Sequence, residues 1–392
     1  MGKKIGIITF YYNNDNYGAN LQAYALTKYL CKSGYDAEQI CFDNSSYVCK
    51  ETYKERVSRI IFKEDVFYKV KKKIIVKGKD LLYVNKKKDY LEKCRLRAEK
   101  TKHFSRELIP HSKIVYNFDN ISNANSMYDI FITGSDQVWN LNMTRSVYFL
   151  DFVNDNKVKM SYAASMAMDE ITNEQKKQLK KWLYGYHAIS VREEKTKELL
   201  SNLVDIDPTV VVDPTLLLSA EDWNECSAGK VVENKYIFCY FLGENKVSRR
   251  LALEYAKRNG LKVVSIPMFN DGYHFFDDTY GDIVLNNSSP EEFISLIKYA
   301  ECIFTDSFHC SVFSLIYKKQ FYVFNRDAKN TMSSRIESLM KMFGCKNRFI
   351  YDITMADLDD LLEVEPIEYR GNNENVSFFI EYSKQFLASS LQ

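Results

Sequence analysis

Short apolar runs alternate along most of this chain with polar loops and with stretches whose apolar residues fall at helical spacing. Residues 4–10 form the first run, and Ala19, Ala23, Leu26 and Leu30 then recur at three- and four-residue intervals, which predicts a helix. Gly34 stops that helix and residues 36–42 resume as a strand. A strand, a crossover helix and a second strand predict a parallel sheet with right-handed connections. The same grammar predicts strands over 128–133, 158–164, 187–191 and 209–212, with a helix over 173–184.

Asp213-Pro214 closes this series, and the polar stretch 219–234 reads as a connection between domains. A second α/β series follows. Its strands are predicted at 236–241, 262–266, 302–305 and 321–324, and its helices at 246–259, 290–300 and 309–317. A last helix is predicted over 376–391, placed to cross back onto the first series. A chain of 392 residues also exceeds the roughly 250–300 residues that one hydrophobic core organises. The expected fold class is therefore α/β, with two Rossmann-like lobes facing across a cleft. The first lobe spans 1–218, the second 219–374, and the terminal helix 375–392. This is the GT-B-like architecture, assigned by analogy alone.

One segment breaks the pattern. Over 50–107, Lys and Arg outnumber Asp and Glu by about eleven, whereas the whole chain carries a net charge of only +2. Ile60, Ile61, Val66, Phe67, Val70, Ile74 and Ile75 add an apolar stripe. The segment reads as a basic helical insertion in the first lobe. Its charge is either a solvated face or a surface for anionic lipid or a diphosphate-linked substrate. No base-stacking motif accompanies it, so nucleic acid is not expected as a partner.

The nine cysteines are scattered, none in a CxxC pair, and read as reduced core thiols rather than as a zinc site. Residues 3–10 are too short and interrupted for a signal peptide, and no run approaches the roughly 18 apolar residues that span a bilayer. A cytoplasmic protein is expected, with peripheral contact at the inner face of the membrane through 50–107.

In open α/β sheets, ligands bind beyond the carboxyl ends of the strands. After the first strand lie Asn13, Asn14, Asp15, Asn16, Tyr17, Gly18 and Asn20, whose polar groups can cap the helix or bond sugar hydroxyls. After residues 131–132 come Ser135, Asp136, Gln137, Trp139 and Asn140, a set that suits a sugar, although Asp136 could equally be a helix cap. Arg192 ends another strand, where it can hold an anion or pair with Glu193, Glu194 or Asp213. Thr305, Asp306 and Ser307 end a fourth strand, and His309 opens the next helix as a candidate proton donor or acceptor. Lys318, Arg326 and Arg335 follow, as phosphate ligands or as solvated charges.

Six stretches together resemble the polysaccharide pyruvyl transferase family: 6–10 with 16–22, 133–140, 161–165, 190–193, 213–218 and 305–309. The resemblance runs from about residue 4 to residue 340, leaving out the basic insertion. It implies a GT-B-like fold, phosphoenolpyruvate as donor, and a cyclic pyruvate ketal on a hexose of a bacterial surface polysaccharide or its lipid-linked precursor. It also implies that Arg192 and His309 serve the donor. Ser307 stands where some members carry Arg, and Cys310 where many carry Gly, so Arg326 or Arg335 would have to supply the missing clamp. On this reading His309 is the general acid and Arg192 a clamp. Ser307, Arg326 and Arg335 complete the donor site. Asn16, Tyr17, Asn20, Asp136, Gln137 and Trp139 hold the acceptor, and no metal or cofactor is called for. The rival expectations are a nucleotide-sugar glycosyltransferase on the same fold and a catalytically silent carbohydrate-binding protein.

Overall fold

The computed structural model describes residues 3–46, 84–268, 279–326, 334–351, 359–360, 364–369 and 373–392. The first lobe opens with β1 (Lys4–Ile8), α1 (Tyr17–Lys32) and β2 (Asp36–Phe42). It continues through α2 (Val84–Leu108), β3 (His111–Tyr116), β4 (Ile130–Thr133) and β5 (Val158–Ser161). The helix α3 (Asn173–Trp182), β6 (Ser190–Val191), α4 (Glu194–Leu200) and β7 (Thr209–Val210) complete it. The sheet is parallel with the order β3-β2-β1-β4-β5. Isolated bridges at Met160–Ala188 and Ala164–Val191 join the β6-β7 pair to its edge.

The second lobe comprises α5 (Ala220–Asn224), β8 (Tyr236–Tyr240), α6 (Lys246–Arg258), β9 (Lys262–Ser265) and β10 (Ile283–Val284). It goes on with α7 (Pro290–Tyr299), β11 (Cys302–Thr305), α8 (Phe308–Ile316), β12 (Gln320–Phe324), α9 (Ser334–Met342) and β13 (Phe349–Ile350), before the terminal helix α10 (Asn373–Ser390). Its sheet is also parallel, in the order β10-β9-β8-β11-β12-β13. Strand order reverses between β1 and β4 in one sheet and between β8 and β11 in the other. Those are the crevices where open α/β sheets place ligands.

The apolar runs make central strands because both faces are covered. All of β4, β8 and β11 is buried. Helix α1 is buried around most of its circumference because it packs on both lobes. Tyr17 lies 5.1 Å from Phe293, and Tyr24 lies 5.4 Å from Trp223, which meets Phe313 at 4.8 Å. One apolar core therefore runs through both lobes. The stretch 219–234 is less of a linker than its polarity suggests. It contains α5, with the capping box of Ser219 and Asp222 and the fully buried Trp223.

The basic insertion expected over 50–107 falls largely outside the described residues. Helix α2, its described part, ties the two lobes together. Arg97 donates to the Pro267 carbonyl at 2.9 Å and lies over the Tyr17 ring, and Lys100 pairs with Glu292 at 3.0 Å. The terminal helix reaches the first lobe, where the Val212 amide donates to Ser383 Oγ at 2.9 Å. Among the described residues no helix is long and apolar enough to cross a membrane.

Candidate active site

The site is built around one carboxylate. Asp213 follows β7 and caps the 3-10 turn Pro214–Leu217, accepting from the Thr215 amide at 3.0 Å and the Thr215 hydroxyl at 2.6 Å. Its other oxygen accepts from Arg192 Nη1 at 2.7 Å and Ser135 Oγ at 3.2 Å, and lies 3.7 Å from His309 Nε2. Arg192 also donates through Nε to Glu193 at 3.2 Å, and its guanidinium packs 4.4 Å from the Phe308 ring centre. Glu193 in turn accepts from Thr196. Burial works against the Asp213 charge, but His309 and Arg192 outweigh it and hold the carboxyl below the ordinary range.

His309 belongs to the second lobe, and the first lobe fixes it. A Cβ at Gly18 would overlap the imidazole at Nδ1, so only glycine lets the start of α1 approach so closely. Burial pushes the His309 pKa below its ordinary value; Asp213 and Asp136 oppose that, while Arg192 and Arg335 add to it.

Beside His309 a cavity of about 240 Å³ opens between the two crevices. Asn14, Asn16, Asp136 and Gln137 enter from the first lobe, and Ser307, His309, Arg326 and Arg335 from the second. Asp306 accepts from the backbone amides of Leu242 and Gly243 at 2.6 and 2.8 Å, which fixes the β8 and β11 loops together. Arg326 lies against it, with Nε 3.8 Å from Oδ2 and Nη2 donating to the Asp306 carbonyl at 3.3 Å. Turning the Gln137 amide so that its oxygen faces Arg335 lets that oxygen accept from Nη1 and Nη2 at 3.0 and 3.3 Å, and the guanidinium lies 6.0 Å from the Phe308 ring centre. No carboxylate among the described residues pairs with Arg335. Burial, with Arg192 nearby, lowers its pKa to about 10, which still leaves it charged at pH 7. On the first-lobe side the cavity continues past Phe10, Asn14, Asn16 and Met143 into a groove of about 650 Å³, lined further by Tyr12, Asn44 and Arg97.

The structure brings His309, Ser307, Arg326, Arg335, Asn16, Asp136 and Gln137 to one cavity. It withdraws others. Trp139 is fully buried, donates to the Tyr148 carbonyl and stacks on Phe149, so it has no face left for a sugar. Asn20 is buried, with its amide donating to the Asn14 and Asn16 carbonyls, and thus shapes the loop rather than meeting an acceptor. Tyr17 edges the cavity, yet its hydroxyl is engaged by the Ser288 carbonyl at 2.5 Å across the lobes. Arg192 lies behind the cavity wall in its ion pairs, and this makes it a support for Asp213 and His309 rather than a direct clamp. Ser307 caps α8, accepting from the Cys310 amide at 3.4 Å. Sequence reasoning overlooked Asp213 and Gly18 as partners of His309. A close approach of α1 to another element was the one signal in reach, through a glycine where the helix begins.

Two parallel α/β lobes with a site at the carboxyl ends of both sheets define a protein of the GT-B class. The chain is similar over nearly its whole length to the HepE protein of Anabaena, solved with UDP and glucose (8% identity, 99% of this chain and 99% of that chain, TM-score 0.53). It is also similar to the UDP-GlcNAc 2-epimerase of Methanocaldococcus jannaschii (12% identity, 98% and 100% covered, TM-score 0.51). The glycosyltransferase SnogD of Streptomyces nogalater matches at 7% identity, with both chains covered completely and a TM-score of 0.50. Identities this low show the fold alone. No curated protein matches by sequence. Residues 16–328 match the polysaccharide pyruvyl transferase family, and the chain belongs to it.

Proposed function

We propose that the cavity binds phosphoenolpyruvate and that its pyruvyl group passes, as a cyclic ketal, to a hexose of a bacterial surface polysaccharide or of its lipid-linked precursor. Arg335 carries this reading. It is a buried cation in a cavity wall with no carboxylate partner among the described residues, and Arg326 and His309 line the same cavity. Burying a charge that a ligand does not complete is costly, so the site calls for a compact anion. Phosphoenolpyruvate carries a carboxylate and a phosphate on one carbon, which suits two guanidinium forks. The cavity of about 240 Å³ beside these cations has room for so compact a donor.

The chemistry follows from the residues present. Protonation of the donor's methylene carbon by His309 makes C2 electrophilic, and Arg335 and Arg326 stabilise the carboxylate and the departing phosphate. A sugar held by Asn14 and Asn16 presents two neighbouring hydroxyls: the first adds to C2, and the second closes the ketal as phosphate leaves.

Two outcomes are expected. Phosphoenolpyruvate raises the melting temperature more than UDP or GDP at equal concentration, and Arg335→Gln loses most of that shift. Stabilisation by UDP alone would replace this donor with a sugar nucleotide. Because the His309 pKa lies below its ordinary value in the empty site, a bound anion raises it, and binding takes up a proton. Calorimetry at pH 7 in two buffers of different ionisation enthalpy should show that uptake, and His309→Gln should reduce it. Equal uptake by both proteins would mean that His309 does not change protonation on binding.

A further inference from the structure

We propose that Asp136 is the general base that takes the proton from the attacking sugar hydroxyl, an inference that rests on ketal transfer from phosphoenolpyruvate as the reaction. Asp136 lies in the loop that follows β4 and has φ +79°, a backbone region that favours glycine. It is held there by its bridge to Ala164 and by the Ser165 amide, which donates to the Asp136 carbonyl at 3.0 Å. Aspartate in this region costs about 1 kcal/mol, so the backbone is set for something other than local comfort.

The side chain explains what. Among the described residues that line the cavity, Asp136 is the one carboxylate. No hydrogen bond or ion pair from a described residue engages it, so it does not serve as a helix cap. The other carboxylates nearby are taken: Asp213 by Arg192, Ser135 and Thr215, Asp306 by two backbone amides, Glu193 by Arg192 and Thr196. Arg192, His309 and Arg335 feel the Asp136 charge without touching it. A carboxylate with its oxygens unclaimed, next to the groove that would deliver a sugar, is placed to accept a proton.

The protons balance. In the first addition the hydroxyl O–H bond breaks, its proton goes to Asp136, and its electron pair forms the bond to C2. The C2–C3 double-bond pair takes the His309 proton and becomes the new methyl group. In the second step the C2–phosphate oxygen bond breaks, with its pair leaving on the phosphate. The neighbouring hydroxyl adds to C2 and gives its proton back to His309. The proton on Asp136 departs with the phosphate. One hydroxyl proton ends in the product methyl and one on phosphate.

Asp136→Asn keeps the shape, and both Asn and Gly tolerate φ +79°, so Asp136→Gly serves as a second folded variant. Both should bind phosphoenolpyruvate at least as tightly as the wild type, because a negative charge beside an anion is removed. Turnover of the glycan acceptor, followed as ketal by mass spectrometry, should fall by about a hundredfold or more. The loss should fall on kcat rather than on KM. Turnover within about threefold of wild type, or a loss confined to KM, would make Asp136 an acceptor ligand and overturn the proposal. If the wild type forms no ketal from phosphoenolpyruvate, the donor reading fails and this inference with it. If it does, the variants decide the base alone.

Discussion

On the proposed reaction, replacing His309 with Ala should leave phosphoenolpyruvate bound while lowering turnover by about a hundredfold or more, the usual contribution of a positioned general acid. The expectation comes from division of labour in the cavity. Arg326 and Arg335 line it independently of the imidazole, so donor affinity survives, whereas no other described lining side chain can readily give a proton to carbon at neutral pH. The paired measurement is a binding titration and a single-turnover assay on protein shown to be folded by circular dichroism. Normal turnover in the folded variant would place the proton source elsewhere and rule out His309 as the acid, even if a ketal still formed.

Asp213→Ala should lower stability by about 3–5 kcal/mol, the range seen when one partner of a buried ion pair is removed. The Asp213 carboxylate is buried and accepts from Arg192, Ser135 and Thr215. Without it Arg192 retains Glu193 but loses its shorter contact, and the 3-10 turn Pro214–Leu217 loses its cap. Urea denaturation at pH 7 measures the loss; a midpoint equal to that of the wild type would show that the network carries little energy. The pH dependence has a definite sign. Because the folded-state pKa of Asp213 is held down, its stabilisation is complete above about pH 4, the unfolded value, and fades as pH falls through the lower folded value.

Most of the scaffold was legible because its strands are central and parallel. Runs such as β8 and β11 are buried on both faces and therefore read as uninterrupted apolar segments. What escaped notice lies at the edges. Strand β3 exposes Ile114 and Val115 and pairs with β2 through a register shift, while β10 and β13 are only two residues long. The site was legible as a set of loops but not as a set of contacts. His309 at the start of α8 and the two later arginines could be placed by position alone. Trp139 and Asn20 could not, since an aromatic or amide next to a candidate loop looks the same in sequence whether it faces a ligand or the core. The meeting of Gly18, Asp213 and His309 joins residues far apart in the chain, and no local spacing records it.

That meeting also makes the two lobes chemically incomplete apart. The imidazole comes from the second lobe, while the carboxylate beside it and the glycine against it come from the first. Tyr17 and Ser288, Arg97 and Pro267, and Lys100 and Glu292 hold the lobes in register. Reactivity is therefore a property of the seam rather than of either half. On the proposed reaction, parting the lobes would take the acid out of its setting, so the donor would meet a working acid only while the seam is closed.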